Sequence, residues 1–196
     1  MNAVSTIDFR SPAAGFDQPL DMWHACHERA ARMTSLLERL LDHLSTHPID
    51  HDAQVTAASV RRYFDEAAPR HHDDEEVDLF PQVMRRLQAG GDNARAARIG
   101  VIIEKLQDDH EDMDVLWSSL RLQLACVEEG QAPSFDPAEV AQFINRYRAH
   151  IETEDSEIGP VAGAVLTPED LLAIGRAMAT RRGVSWDEIA SSRPRG

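Results

Sequence analysis

The sequence of 196 residues is poor in cysteine and in positive charge. Its two cysteines are too few for a disulfide scaffold or for a zinc site built from cysteine alone. The 34 Asp and Glu residues outnumber the 20 Lys and Arg, and a formal charge of −14 argues against a nucleic-acid or anionic-membrane partner. No apolar run reaches the roughly 18 residues of a membrane span, and the start lacks a signal-peptide pattern. We therefore expect a cytoplasmic protein with reduced thiols.

The apolar residues that are present recur at spacings of three and four, which predicts amphipathic helices, and alternating β patterns are absent. The second helix is expected to kink at Pro69, and the Gly90-Gly91 pair is the clearest turn signal. The predicted helices cover about residues 20–47, 51–79, 94–128 and 136–158.

Four long helices joined by short loops predict an all-α fold, an antiparallel up-down four-helix bundle with short C-terminal helices. We expect an irregular N-terminal arm at residues 1–19, the bundle at residues 20–160, and a C-terminal helical appendage at residues 161–196. Within the appendage, one helix should begin at Thr167 and a second should cover residues 186–190.

An internal repeat carries histidine and glutamate. Residues 71–81 align without a gap with residues 150–160. The alignment pairs His71 with His150, Glu75 with Glu154, and Pro81 with Pro160. Each copy is preceded by a helix with its own His-Glu pair, at His27-Glu28 and at His110-Glu111. A helix pair used twice predicts approximate two-fold symmetry within the bundle.

The spacing within each repeat favours a metal site. Residues four apart lie about 40° apart around a helix, so the histidine and glutamate of each HxxxE pair point the same way. On the third and fourth helices these residues fall on the apolar stripe, where ionisable groups are costly unless they are paired or bind a metal. We predict a dinuclear site in which each glutamate bridges two ions, with the ligands His27, His71, Glu75, His110, His150 and Glu154.

The order of these residues, with Leu79-Phe80-Pro81 after the first pair, resembles the bacterial hemerythrin-like (HHE cation-binding) family over about residues 20–160. The resemblance implies a four-helix bundle around a non-haem di-iron centre that meets dioxygen or related small molecules. Imidazole and carboxylate ligands suit iron, manganese or zinc. The resemblance favours two glutamate-bridged iron ions, with zinc or manganese as substitutes in a purified sample.

Two positions depart from the oxygen-carrying hemerythrins. Asp114 stands where those proteins have a fifth histidine, so it is either a solvated carboxylate or a ligand of one iron. Their fourth-helix carboxylate would correspond to Asp155, whereas the internal repeat and the apolar stripe select Glu154. The missing histidine argues against a reversible oxygen carrier.

Three neighbouring residues compete for roles at the site. The stripe of the first helix favours His27 over His24, and the repeat favours His71 over His72. His72 is then either a neighbour of the ligands or a surface group. Tyr147 is either a core residue or a hydrogen-bonding group near His150.

The leading hypothesis is a non-haem di-iron protein that binds, senses or handles O₂, peroxide or nitric oxide. One alternative is a di-iron oxidase, peroxidase or nitric oxide reductase, which would need an external reductase because no cofactor motif is visible. The other is a metal-stabilised module that binds a protein partner.

Without metal, Glu75 and Glu154 would face each other, and repulsion is expected to raise the pKa of at least one.

Overall fold

The computed structural model describes residues 15–186 and residue 189, and it contains no β-strand in these residues. Residues 1–14 of the expected N-terminal arm and most of the short helix expected at residues 186–190 lie outside the described residues. Within the described part of the chain, five helices follow one another: α1 (Pro19–Thr46), α2 (residues 51–89), α3 (Asn93–Glu128), α4 (residues 137–165) and α5 (Pro168–Arg181). The all-α fold is as predicted.

Helices α2 and α4 are continuous but contain π turns, in which the helix is locally wider. The π turns are Tyr63–Ala67 and Asp74–Leu79 in α2, and Glu154–Ile158 in α4. Each is closed by the backbone N–H of the residue just before a proline. Proline lacks an N–H and crowds the preceding turn, and a π turn accommodates both effects without ending the helix.

The π turns account for two differences from the sequence-based boundaries. The second helix does not end near residue 79 but passes Pro81 and ends at Ala89. The fourth helix passes residue 158 and Pro160 and ends at Val165. Pro69 follows a π turn in the same way, at the position where a kink was expected.

The apolar core shows the antiparallel arrangement of the bundle. One cluster joins the C-terminal halves of α1 and α3 to the N-terminal halves of α2 and α4, and includes Leu37, Val60, Leu124 and Phe143. A second cluster joins the opposite halves to α5, and includes Trp23, Val83, Ile99, Val161 and Ile174. Consecutive helices therefore run in alternating directions, as an up-down bundle requires.

The two apolar clusters are separated by a polar layer. On α3, Leu106 belongs to the second cluster and Met113 to the first, and His110 lies between them. On α1, His27 lies in the same way between Trp23 and Ala30. The histidines predicted as ligands therefore meet at mid-height in the bundle.

Side-chain caps fix where several helices begin. The carboxylate of Asp50 accepts a hydrogen bond from the Ala53 N–H, and that of Asp136 accepts one from the Ala138 N–H, as the Asp-Pro signal predicted. Thr167 and Asp170 form a reciprocal capping box at the start of α5. Within the described residues, none of the helices is both long enough and apolar enough to cross a membrane.

Candidate metal centre

The six residues predicted as ligands converge in the polar layer between the two apolar clusters. Their side chains are almost completely buried, with no residue more than 5% exposed. Their donor atoms form two groups that share both glutamates, Glu75 and Glu154. We call His27 and His71 the first half-site, and His110 and His150 the second half-site.

Glu75 reaches both half-sites with different oxygens. Its Oε1 lies 3.0 Å from His71 Nε2 and 3.7 Å from His27 Nε2. Its Oε2 lies 3.4 Å from His110 Nε2 in the second half-site. A carboxylate placed in this way could offer an oxygen to a metal ion in either half-site.

Glu154 also lies between the half-sites. Its Oε2 is 3.2 Å from His27 Nε2 and 3.2 Å from His150 Nε2. The second half-site is closed by the Nε2 atoms of His110 and His150, which are 3.1 Å apart. Two donors that bind one ion at about 2.1 Å each lie no more than about 4.2 Å apart, so these separations suit shared metal ions.

Several of these donor atoms have no hydrogen-bond partner among the described residues. They are buried and include His27 Nε2, Glu75 Oε2 and both side-chain oxygens of Glu154. Buried polar atoms are rarely left unpaired, and an unpaired buried carboxylate is especially costly. The donor set of imidazole and carboxylate groups therefore fits bound cations.

A second pair of carboxylates orients one histidine in each half-site. The Nδ1–H of His27 donates a hydrogen bond of 2.8 Å to Asp155, and the Nδ1–H of His110 donates one of 2.5 Å to Glu76. Such outer contacts fix the ring and leave Nε2 free to bind a metal. Each orienting carboxylate directly follows one of the two shared glutamates and acts on a histidine of the other repeat.

The sequence-based interpretation did not assign these two orienting roles. The ungapped repeat contains a signal for them, because it aligns Glu76 with Asp155. The structure also separates the roles of Glu154 and Asp155, which the sequence had left in competition. Glu154 is fully buried between the half-sites, whereas Asp155 is partly exposed on the outer side of His27.

Trp23 was not predicted as part of the centre. Its indole N–H donates a hydrogen bond of 2.6 Å to Glu75 Oε1. Trp23 lies four residues before His27 and is completely buried, so the side chain borders the first half-site from the second apolar cluster. The contact holds the Glu75 oxygen that faces the first half-site.

The surroundings of the half-sites differ. In the first, Cys26 lies beside His71; burial raises the pKa of the thiol, but the hydrogen bond and charge of His71 lower it overall. In the second, the His72 ring stacks on His110 with centroids 3.9 Å apart, and the Tyr147 hydroxyl lies 3.5 Å from His72 Nε2. His72 is therefore a buried neighbour of the ligands and not a surface group.

Charges within the centre shift the pKa values of its members. Burial lowers the pKa of His27, but its hydrogen bond to Asp155 and the nearby negative charges of Glu154 and Glu75 raise it to about 12. Burial also lowers the pKa of His110, but the hydrogen bond and the charge of Glu75 raise it to about 9. Burial raises the pKa of Glu75, but His71 and His110 hold it well below its usual value. For Glu75 the direction is thus opposite to the one expected from repulsion.

Two candidate residues lie outside the pair of ligand groups. His24 is exposed and bonds Asp155 at 3.0 Å on the outer face, so its partner is a carboxylate that already orients His27. Asp114 is exposed on α3 and contributes no donor atom to either group of converging ligands. The structure therefore favours the interpretation of Asp114 as a solvated carboxylate.

A helical bundle with a buried His/Glu centre defines a class of cation-binding domains. Residues 18–162 match the family described as the hemerythrin HHE cation binding domain, and the chain belongs to this family. It is also similar to an uncharacterized protein of Haemophilus influenzae, with 30% identity over 171 residues that cover 87% of this chain and 94% of that protein. Metal-cation binding is the property that the family and the buried centre share.

Proposed function

We propose that the chain binds two iron ions and that this di-iron centre binds, senses or handles O₂, peroxide or nitric oxide. The observation that carries the proposal is the convergence of two ligand groups on the same two buried glutamates. The ligands would be His27, His71, Glu75, His110, His150 and Glu154.

Iron is favoured by the donor set together with the family. Imidazole and carboxylate groups suit iron, manganese and zinc, and binding strength alone would favour zinc over Fe(II). Membership in the hemerythrin HHE family supports iron. Zinc or manganese would then be a substitute in a purified sample.

The protein's own residues define what the centre can do. Non-haem iron, when bound, supplies one-electron and O₂ chemistry. Glu75 and Glu154 would hold two ions side by side, and Asp155 and Glu76 would keep the imidazole rings of His27 and His110 in a fixed orientation. The apolar clusters above and below the centre exclude bulk water.

The experiment that tests the proposal is metal analysis combined with visible spectroscopy. We expect about two iron ions per chain after anaerobic loading with Fe(II). Separate additions of O₂, hydrogen peroxide and nitric oxide should change the visible spectrum in at least one case. A chain that binds no iron, or an iron-loaded chain that is inert to all three, would contradict the proposal.

The same sample distinguishes a binding or sensing protein from an enzyme. A stoichiometric spectral change without turnover is the expected result. Steady-state consumption of O₂, peroxide or nitric oxide with an added reductant would instead assign the enzymatic alternative.

We also propose a cytoplasmic location, which is supported by Cys26 and Cys126, both free thiols.

A further inference from the structure

The C-terminal helix α5 lies beyond residues 18–162, which match the family. It packs against α1 and against the π turn Asp74–Leu79 of α2. Ion pairs attach both ends of α5 to α2. The two attachments lie at different distances from the metal centre.

The first attachment is centred on Asp74, which is only 1% exposed. Arg182 donates two parallel hydrogen bonds to its carboxylate, of 3.0 and 2.6 Å. Arg181 bonds Asp74 as well, and it donates a further hydrogen bond of 2.7 Å to Asp78. A buried carboxylate is stable only when it is paired in this way, so Asp74 depends on the end of α5.

Asp74 opens the π turn that contains the bridging Glu75. The backbone C=O of Glu75 accepts the closing hydrogen bond of this turn, from the Phe80 N–H. The attachment of Asp74 therefore fixes the backbone that aims the Glu75 side chain. In the second repeat the corresponding residue is Thr153, whose hydroxyl bonds the Ala149 C=O within its own helix.

The second attachment joins the start of α5 to the end of α2. Asp170 is 3% exposed and accepts hydrogen bonds from Arg85 and Arg86. Arg86 lies eleven residues after Glu75, which corresponds to about 16 Å along a helix. Like the first attachment, it joins α5 to α2 through hydrogen bonds between arginine and a buried aspartate, but it lies farther from Glu75.

We propose that Asp74, Arg181 and Arg182 are positioning residues for Glu75, and that α5 is thereby a structural part of the metal centre. The inference rests on the proposed binding of metal by Glu75. It assigns the C-terminal helix a role that the matched family region does not contain.

The test compares Asp74→Asn with the matched control Asp170→Asn in the full-length chain. Fe(II) affinity is measured anaerobically by competition with a chelator, the ligand geometry by the visible spectrum of the Co(II)-loaded protein, and folding by circular dichroism. Loss of a direct hydrogen bond to a metal ligand weakens metal binding by about 10- to 100-fold in general. Asp74 acts on Glu75 through the backbone, so for Asp74→Asn we expect a loss at the lower end of this range, about 10-fold, together with an altered Co(II) spectrum. For Asp170→Asn we expect a lower melting temperature with unchanged affinity and spectrum.

A second variant keeps the test decisive if Asp74→Asn fails to fold. Arg182→Gln leaves Asp74 and Arg181 in place and should give a smaller loss in the same direction. The inference is overturned if wild type binds Fe(II) and the Asp74 and Arg182 variants match it, or if the Asp170 variant loses as much affinity as they do. Failure of wild type to bind Fe(II) would instead reject the proposed function itself.

Discussion

The two half-sites have the same donors but different neighbours. In each, one histidine donates through Nδ1 to a carboxylate that follows one of the two shared glutamates, Asp155 in the first and Glu76 in the second. The first half-site borders the Cys26 thiol and the Trp23 indole, whereas the second borders the rings of His72 and Tyr147. The repeat therefore duplicates the ligands and their orientation, and the two ions would occupy different environments.

Removing one histidine from each half-site should give the largest effect. We expect His71→Ala and His150→Ala each to reduce the iron content from about two to about one ion per chain, because each removes a buried donor from one group only. The control His72→Ala should retain two ions, since His72 packs against His110 without joining either group. Equal losses in all three variants, measured by metal analysis after dialysis, would refute the ligand assignment.

Metal removal should reveal the charges within the centre. Metal at 100 times its Kd stabilises the folded chain by about 2.7 kcal/mol. In the metal-free chain the raised pKa of His110, about 9 against 6.5, gives stability that is complete below pH 6.5 and is lost as the pH rises through 9. Metal binding displaces these protons and strengthens with pH. Anaerobic melting curves with and without Fe(II) should therefore diverge between pH 6.5 and 9; curves that converge would contradict this prediction.

The orienting carboxylates allow a matched comparison of the half-sites. Asp155→Asn and Glu76→Gln keep the shape of each side chain but remove the charge that accepts the histidine N–H. We expect each to weaken Fe(II) binding by about 10-fold or more. The Asp155 variant should affect the ion held by His27, and the Glu76 variant the ion held by His110. Chelator competition followed by spectroscopy checks this, and unchanged affinity in both variants would show that the rings need no such support.

Asp114 should give the smallest effect. The side chain is exposed and outside both ligand groups, so Asp114→Ala should leave the iron content, the visible spectrum and the autoxidation rate at the wild-type values. A changed spectrum or a faster autoxidation would instead assign Asp114 to the second half-site, as a ligand either directly or through water.

Helical periodicity and the internal repeat predicted most of the bundle. The stripe on α3, from Ile99 to Leu124, is buried as expected. The repeat selected His71 and Glu154 over their neighbours, and both residues belong to the two groups of converging donors, whereas His72 does not. Binding of metal by these residues stays a prediction. Helical periodicity and the internal repeat could identify these candidate ligands because they lie on the same stripes that face the core.

Sequence reasoning missed two features, the continuation of helices past proline and a contact between distant helices. The prolines at positions 81 and 160 predicted helix ends, but π turns before them let each helix continue. The burial of Asp74 by the arginines of α5 was not predicted either. Such a contact joins residues more than 100 positions apart, and no local pattern in either segment indicates it.

The division of the apolar core by a polar layer has a consequence for local unfolding. Helices in most proteins open first at their ends, and their amide hydrogens exchange with solvent accordingly. Here, without metal, the amides near His27 and His110 border a layer of charged groups and π turns, whereas those near Leu37 and Ile99 border close-packed apolar clusters. Hydrogen exchange in the metal-free chain should therefore be faster at the middle of the bundle than within the two clusters, and bound cations would join two folding units into one.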